Sequence, residues 1–446
     1  MIHFSEGKAK ARSILMEADV RRLGKRWCLI RDLRGAFRLL VEPADGVELK
    51  ALERITSRLA LDLGVFWGNE VWFAGPDASA AEKAVYEKAW AESRLLDDGA
   101  GTAEIRELER YLSKDAWFGT PLTPPWPLND RTPPIISFFS FKGGVGRTTA
   151  LASIAIQLAR IGKRVCVVDL DLEAPGIGVC FPILNGGPEY GTLDYILESD
   201  LARDANTPIE EYVGACDDAD IIGKQGAHIH VVPAGALNDD YLEKLARVDY
   251  RGLSTVGDTE SPLHRLFNSL KRKYDIEYFL VDARSGLHDI GGLTLNGFCH
   301  LDVLFGIENA QSWDGLSLVV SHVGRMRVKR DLAQQNCAVV YAMAPSSIDK
   351  DREEKRKIFL EKSFDLFRKH FYDEEPEDGW PVDIPEDVWP VPSQDADDQP
   401  HYPIILGFLS DVQRADSLIQ IADVLTVGDY TELLRQLLVR VERTLP

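Results

Sequence analysis

Cysteine is sparse in this chain of 446 residues, and Cys28, Cys166, Cys180, Cys216, Cys299 and Cys337 never fall into a C-x-x-C spacing. That excludes a disulfide framework and a cysteine zinc site, and leaves six buried thiols. No uninterrupted apolar run approaches the roughly 20 residues that cross a bilayer. Residues 1–22 carry too much charge for a secretory leader. A soluble, cytoplasmic protein is therefore expected. Positive charge is also in deficit: 51 Lys and Arg against 71 Asp and Glu leave a net charge of −20, which argues against a surface that coats nucleic acid. More than half of that excess lies in residues 373–400, which hold eleven acids and no Lys or Arg. The hydrophobic content of 45% is ample for a large core and for more than one module.

The chain is organised around residues 135–149, I-I-S-F-F-S-F-K-G-G-V-G-R-T-T. Seven uncharged residues rich in isoleucine and phenylalanine predict a strand buried in a parallel sheet. Gly143, Gly144 and Gly146 then let backbone N–H groups close on an anion, and a helix beginning near Thr148 aims its positive end at the same point. Val145 and Thr149 complete this phosphate cradle. Thr148 offers a hydroxyl where a Walker A loop holds magnesium, and Arg147 stands where the usual lysine reaches the terminal phosphates. The generic loop begins with glycine where this chain has Phe141.

With Lys142 ahead of the glycines, the loop resembles the deviant Walker A of the MinD/ParA P-loop ATPases, K-G-G-x-G-K-[ST]-T, in every place but Arg147. The resemblance implies that Lys142 crosses to the nucleotide of a second subunit, and hence an ATP-dependent homodimer. Residues 164–169 read as the next strand, delivering D-L-D. Asp169 and Asp171, two apart at a strand end, can serve a magnesium shell and a terminal phosphate respectively. The family assigns Asp171 to orient the attacking water and Asp169 to support the loop and metal. Residues 278–282, Y-F-L-V-D, form a Walker B strand whose Asp282 is the remaining magnesium ligand, beside Thr148, Asp169 and Asp171.

Residues 283–287, A-R-S-G-L, stand at the family's switch II loop, where the Gly286 N–H would meet the terminal phosphate. Arg284 is either a charge-stabilising finger or, the preferred reading, a partner of Asp275 or Asp289. Further strands are predicted within 226–235, 300–315, 337–345 and 402–411. The asparagine that often reads adenine is missing from 337–345. The last strand ends like the family's V-L-G-x-I-P-E, with Ser410 and Asp411 on the nucleotide side. His228 and His230 are read as sheet-face residues rather than metal ligands.

The expected fold is thus α/β: a mostly parallel, doubly wound P-loop NTPase sheet with helices on both faces over 135–446, joined to a smaller N-terminal α+β module. Residues 1–119 form that module, with helical spacing at 8–23, 47–63, 79–96 and 103–112 and strands at 27–30 and 70–74. Ser79 and Glu82 have capping-box spacing. The module holds no chemical motif and is read as a docking or dimerisation unit. Residues 120–134 carry six prolines and read as a semi-rigid linker. The acidic insertion 373–400, with Trp380 and Trp389, reads as a partner-binding loop. The basic cluster Arg325, Arg327, Lys329 and Arg330 could touch DNA or an acidic partner, though a solvated helix end is preferred. The terminal helix 429–445 carries Tyr430, Leu433, Leu434, Leu437, Leu438 and Val441 on one stripe. Its polar face mixes both signs of charge, so it reads as a packing helix and a membrane is disfavoured.

Relatives that carry iron–sulfur clusters or zinc need cysteines that this chain lacks, and the tyrosine cluster of the related kinases is absent from 431–446. What remains is an ATP- and magnesium-binding, slowly hydrolysing switch that dimerises and regulates a protein partner through the N-terminal module or the acidic loop. The alternative is a nucleotide-sensing scaffold subunit of a bacterial multi-protein assembly with little turnover. Arg147 separates the two, because arginine for lysine is not conservative at a tight phosphate site.

Overall fold

Alternating apolar residues and short turn signals build two units, Met1–Ser113 and Lys114–Pro446, in a computed structural model. It describes residues 2–75, 78–97, 103–119, 121–201, 208–254, 260–329, 337–376 and 388–443. In the first unit, β1 (Gly24–Arg31), β2 (Phe37–Pro43), β3 (Trp67–Phe73), β4 (Arg94–Asp97) and β5 (Glu104–Glu109) form a mixed sheet in the order β3-β2-β1-β5-β4. The helices Phe4–Leu15 and Leu49–Leu63 cover its apolar side, where Trp27, Leu29, Phe37 and Leu39 are buried. Ser79 and Glu82 close the capping box of the helix Ala80–Glu92, as their spacing predicts.

Residues 103–112, expected as a helix, contain the strand β5 instead. E-I-R-E-L-E suits a helix by composition, but β5 lies between β1 and β4, with an unbroken ladder along β1 and a shorter, irregular one along β4. Tertiary pairing overrides local preference there. Glu107, buried on that strand, is held by Lys8 at 3.2 Å, Arg94 at 3.3 Å and Arg12.

The second unit holds, among the described residues, an eight-stranded sheet in the order β13-β12-β11-β6-β10-β7-β9-β8. Its strands are β6 (Ile135–Ser140), β7 (Val165–Asp169), β8 (Gly214–Cys216), β9 (Ile229–Val232), β10 (Tyr278–Asp282), β11 (Leu301–Gly306), β12 (Cys337–Ala344) and β13 (Ile404–Gly407). Every neighbouring pair is parallel except β8 with β9. The period of two shows along β6: Ile136 and Phe138 face one core, and Ile135 and Phe139 face the other side. The first face is covered by the helices Arg147–Arg160 and Asp429–Arg443. On the latter, Tyr430, Leu433, Leu437 and Val441 are buried, with Leu434 and Leu438 packed beside them. The predicted packing stripe therefore lies against the sheet. The opposite face is covered by helices that include Pro262–Tyr274, Ala310–Lys329 and Arg352–His370.

The proline-rich stretch is not a connector between the units. It lies within the second, where Leu122 and Trp126 are buried and the Trp126 indole donates to the Pro133 carbonyl at 2.8 Å. The boundary moves to Ser113, because Asp115–Phe118 is already a helical turn packed into the second core. In the acidic segment, Trp389 packs on Phe371 at 5.4 Å, whereas Trp380 lies outside the described residues.

His230 sits on β9 with its ring 4.4 Å from that of Tyr274. Burial, and then the neighbouring His228, push its pKa down to about 4. Protonation is thus resisted in the folded state, and its contribution to stability is lost as pH falls from the ordinary histidine range towards 4. Replacing His230 by Phe should remove about 1–2 kcal/mol of the stability lost between pH 7 and pH 4.5, after allowing for partial exposure. Urea unfolding at the two pH values checks this.

Candidate functional site

β6 ends at Ser140, and residues 141–146 turn the chain into the helix Arg147–Arg160. Gly144 (φ 73°) and Gly146 (φ 84°) occupy left-handed backbone that a side chain would strain. Among the described residues, the N–H groups of Gly143, Gly144 and Val145 have no hydrogen-bond partner. With the first turn of the helix, they gather donors and positive dipole at one place. Phe141 does not fill this cradle. Its ring lies on Gly315, where an added Cβ would be 2.0 Å from the ring.

A cavity of about 480 Å³ opens over the loop, within the size range of ligand sites. It is lined by Ser140, residues 143–149, Asp171, Arg284 and Ser285, and further out by Met343, Phe408, Leu409, Val412 and Gln413. The Ser140 hydroxyl is buried without a partner among the described residues.

Arg147 determines the electrostatics. Its Nε donates to Asp282 Oδ1 at 2.6 Å and its Nη2 to Asp171 Oδ2 at 2.9 Å. Thr148 Oγ1 donates to Asp282 Oδ2 at 2.7 Å. Arg284 donates to Asp171 Oδ1 at 2.9 Å and to Glu173 Oε2 at 3.1 Å, and His288 Nε2 lies 2.6 Å from Glu173 Oε1. Burial works against the Arg147 charge, but Asp282 and Asp171 outweigh it and raise its pKa. Burial raises Asp282 although Arg147 and Thr148 pull it down. Asp169, at the end of β7, accepts from the N–H groups of Asp171 at 3.0 Å and of Gly176 and Ile177 at 3.1 Å. It braces the loop after β7. Burial, then the charge of Asp282, raise its pKa to about 8 despite those donors.

The fit to magnesium follows from this pairing. Both oxygens of Asp171, Asp282 and Asp169 are engaged, and the Thr148 hydroxyl is committed to Asp282. Among the described residues no group of three acidic, histidine or cysteine side chains could hold a metal ion. Asp171 and Asp282 converge as expected, but on a guanidinium, so in this arrangement the expected ligands are already paired and do not fit the ion.

Other expected positions fall as follows. The Gly286 N–H donates to the Ser140 carbonyl at 3.0 Å, so it is not free for a phosphate in this arrangement. Arg284 pairs with Asp171 and Glu173, not with Asp275, which meets Arg164, or Asp289, which meets Lys114. Ser410 and Asp411 begin an exposed helical turn. Ser410 lines a neighbouring cleft of about 710 Å³ with Tyr341, Glu308 and Lys355, and Asp411 lines neither space. Lys142 is half-buried and has no ion-pair partner among the described residues. Arg325 is exposed, while the side chains of Arg327 and Lys329 and all of Arg330 fall outside what is described. Met343 was not expected here. It sits at φ 53° where the β12–β13 register shifts, and lines both spaces; no local sequence signal marks it.

A strand, a glycine loop and a helix at the carboxyl edge of a parallel sheet define a P-loop nucleotide-binding domain. Residues 136–291 match the model of the CobQ/CobB/MinD/ParA nucleotide binding domain. The chain is 28% identical over 154 residues to an uncharacterized ATP-binding protein of Methanocaldococcus jannaschii, covering 34% of this chain and 46% of that protein. It is 42% identical over 64 residues to the chromosome-partitioning ATPase Soj of Thermus thermophilus, covering 13% of this chain and 26% of that protein. The chain thus spans about half or less of the length of these relatives. Among solved structures, pNOB8 ParA bound to nonspecific DNA is similar at 16% identity and a TM-score of 0.41, covering 70% of this chain and 99% of that one. The MinD cell division protein of Aquifex aeolicus is similar at 18% identity and a TM-score of 0.32, covering 47% and 68%. Among the described residues no helix is long and apolar enough to cross a membrane.

Proposed function

We propose that this chain is an ATP-binding switch of the MinD/ParA kind that acts in the cytoplasm on a protein partner. The observation that carries the reading is the loop of unpartnered N–H groups facing a cavity that also holds Arg147 and Arg284. A triphosphate brings the negative charge such a site favours. Lys142, without an ion-pair partner among the described residues, is available to reach the nucleotide of a second copy, and ATP would then assemble a homodimer. The partner would dock on the N-terminal unit or the acidic segment. DNA is the less favoured candidate, because the chain carries a net charge of −20 and a solvated helix end is the commoner setting for a cluster such as Arg325, Arg327, Lys329 and Arg330.

The tie between Asp171 and two arginines favours a second reading, a sensing scaffold with little turnover. A carboxylate already holding two guanidinium groups is a poor orienter of water. Light scattering separates the two: ATP should double the mass of the switch, whereas an unchanged mass with ATP bound supports the scaffold. Phosphate release gives a further outcome. Arg284→Ala should raise it, by about three- to tenfold, by freeing Asp171. Asp171→Ala should abolish it, and release unaffected by that change would remove Asp171 from the chemistry.

A further inference from the structure

We propose that Arg147 takes the place of the divalent cation, so that the site binds ATP without magnesium. The inference rests on the ATP-binding reading above.

Arginine carries five N–H donors in a planar fork, and two are used here, Nε on Asp282 and one from Nη2 on Asp171. The other three are uncommitted among the described residues. Arg147 can therefore keep both carboxylates and still donate to phosphate oxygens from the same guanidinium, which is fixed inside the loop that cradles them. This is the bridging role that a metal ion would play between acidic side chains and a triphosphate.

A magnesium ion would have to enter beside oxygens that already contact the guanidinium. It carries two positive charges, prefers oxygen ligands at about 2.1 Å and gives up its waters reluctantly. Either the ion and guanidinium repel at close range, or Arg147 leaves and a buried cation loses its partners. Neither arrangement favours the metal. A lysine at 147 could not do the same. Its ammonium is a point charge with three donors and cannot span two carboxylates and a phosphate in one plane. Replacing Arg147 by lysine should therefore restore a need for the ion.

The test is calorimetric titration of ATP into the full chain, in excess EDTA and again with magnesium chloride. The wild type should bind with dissociation constants within about threefold of each other. Arg147→Lys should bind at least about tenfold more weakly in EDTA than in magnesium. A wild-type affinity that falls tenfold or more in EDTA overturns the inference and leaves the ATP-binding reading standing. No binding under either condition removes the reading on which it rests. Should Arg147→Lys bind ATP equally well in both solutions, Arg147 is not the reason for metal independence. If that variant fails to fold, the two wild-type titrations still decide.

Discussion

Replacing Arg147 by alanine is expected to lower the unfolding free energy by about 3–5 kcal/mol at pH 7, because removing one partner of a buried ion pair leaves the other charge uncompensated. Here two carboxylates, Asp171 and Asp282, lose their shared guanidinium in one step. The loss should depend on pH. Burial already raises the pKa of Asp282 and Arg147 opposes it, so in the variant that pKa climbs further. A folded-state pKa above the unfolded value contributes stability at low pH that disappears as pH rises through it. The deficit should therefore be larger at pH 8 than at pH 5. Urea unfolding at both values checks the sign. A uniform deficit below about 1 kcal/mol, the range of an exposed pair, would mean that the guanidinium does not hold these carboxylates.

The second large effect lies beneath the site. Trp117 is 7% exposed, and its indole donates to the His288 carbonyl at 2.7 Å. Its ring lies 4.9 Å from that of His322, and a Cβ added at Gly292 would fall 2.5 Å from it. Trp117 therefore supports the segment that carries Arg284 and His288, and glycine at 292 is what admits so large a ring. Trp117→Ala should cost about 3–5 kcal/mol, the range for emptying an aromatic from a core. With the His288 carbonyl released, the ties from Arg284 to Asp171 should loosen, and ATP affinity should fall with stability. A variant that melts like the wild type would remove Trp117 from this supporting role.

Trp117 also shows where the sequence stops being readable. The tetrapeptide D-A-W-F precedes a run of prolines and carries no periodicity, so it reads as the end of the N-terminal module. Its membership in the second core comes from contacts with residues near 288 and 322, which no local pattern encodes. The phosphate loop, the D-L-D turn after β7 and the end of β10 were legible because their chemistry is local: a strand stops, and the next residues must serve the site. The pairing of Arg147 was not, since its partners lie 24 and 135 residues away and the contacts are made by side chains. A motif reserves the position for a cation but does not say which carboxylates it will meet. Residues 103–112 failed for a related reason: helix-forming composition yielded to a ladder supplied by β1 and β4. The Gly286 N–H, read as a contact to the terminal phosphate, instead donates to the Ser140 carbonyl, through a left-handed turn that the sequence does not disclose.

The central claim is that the loop after β6 grips phosphates. Calorimetric titration of the full chain with ATP, inorganic triphosphate and adenosine tests it most directly. ATP and triphosphate should each bind once per chain and compete with one another, and adenosine should give no measurable heat. Adenosine binding as tightly as ATP, or no heat from any of the three, would contradict the account.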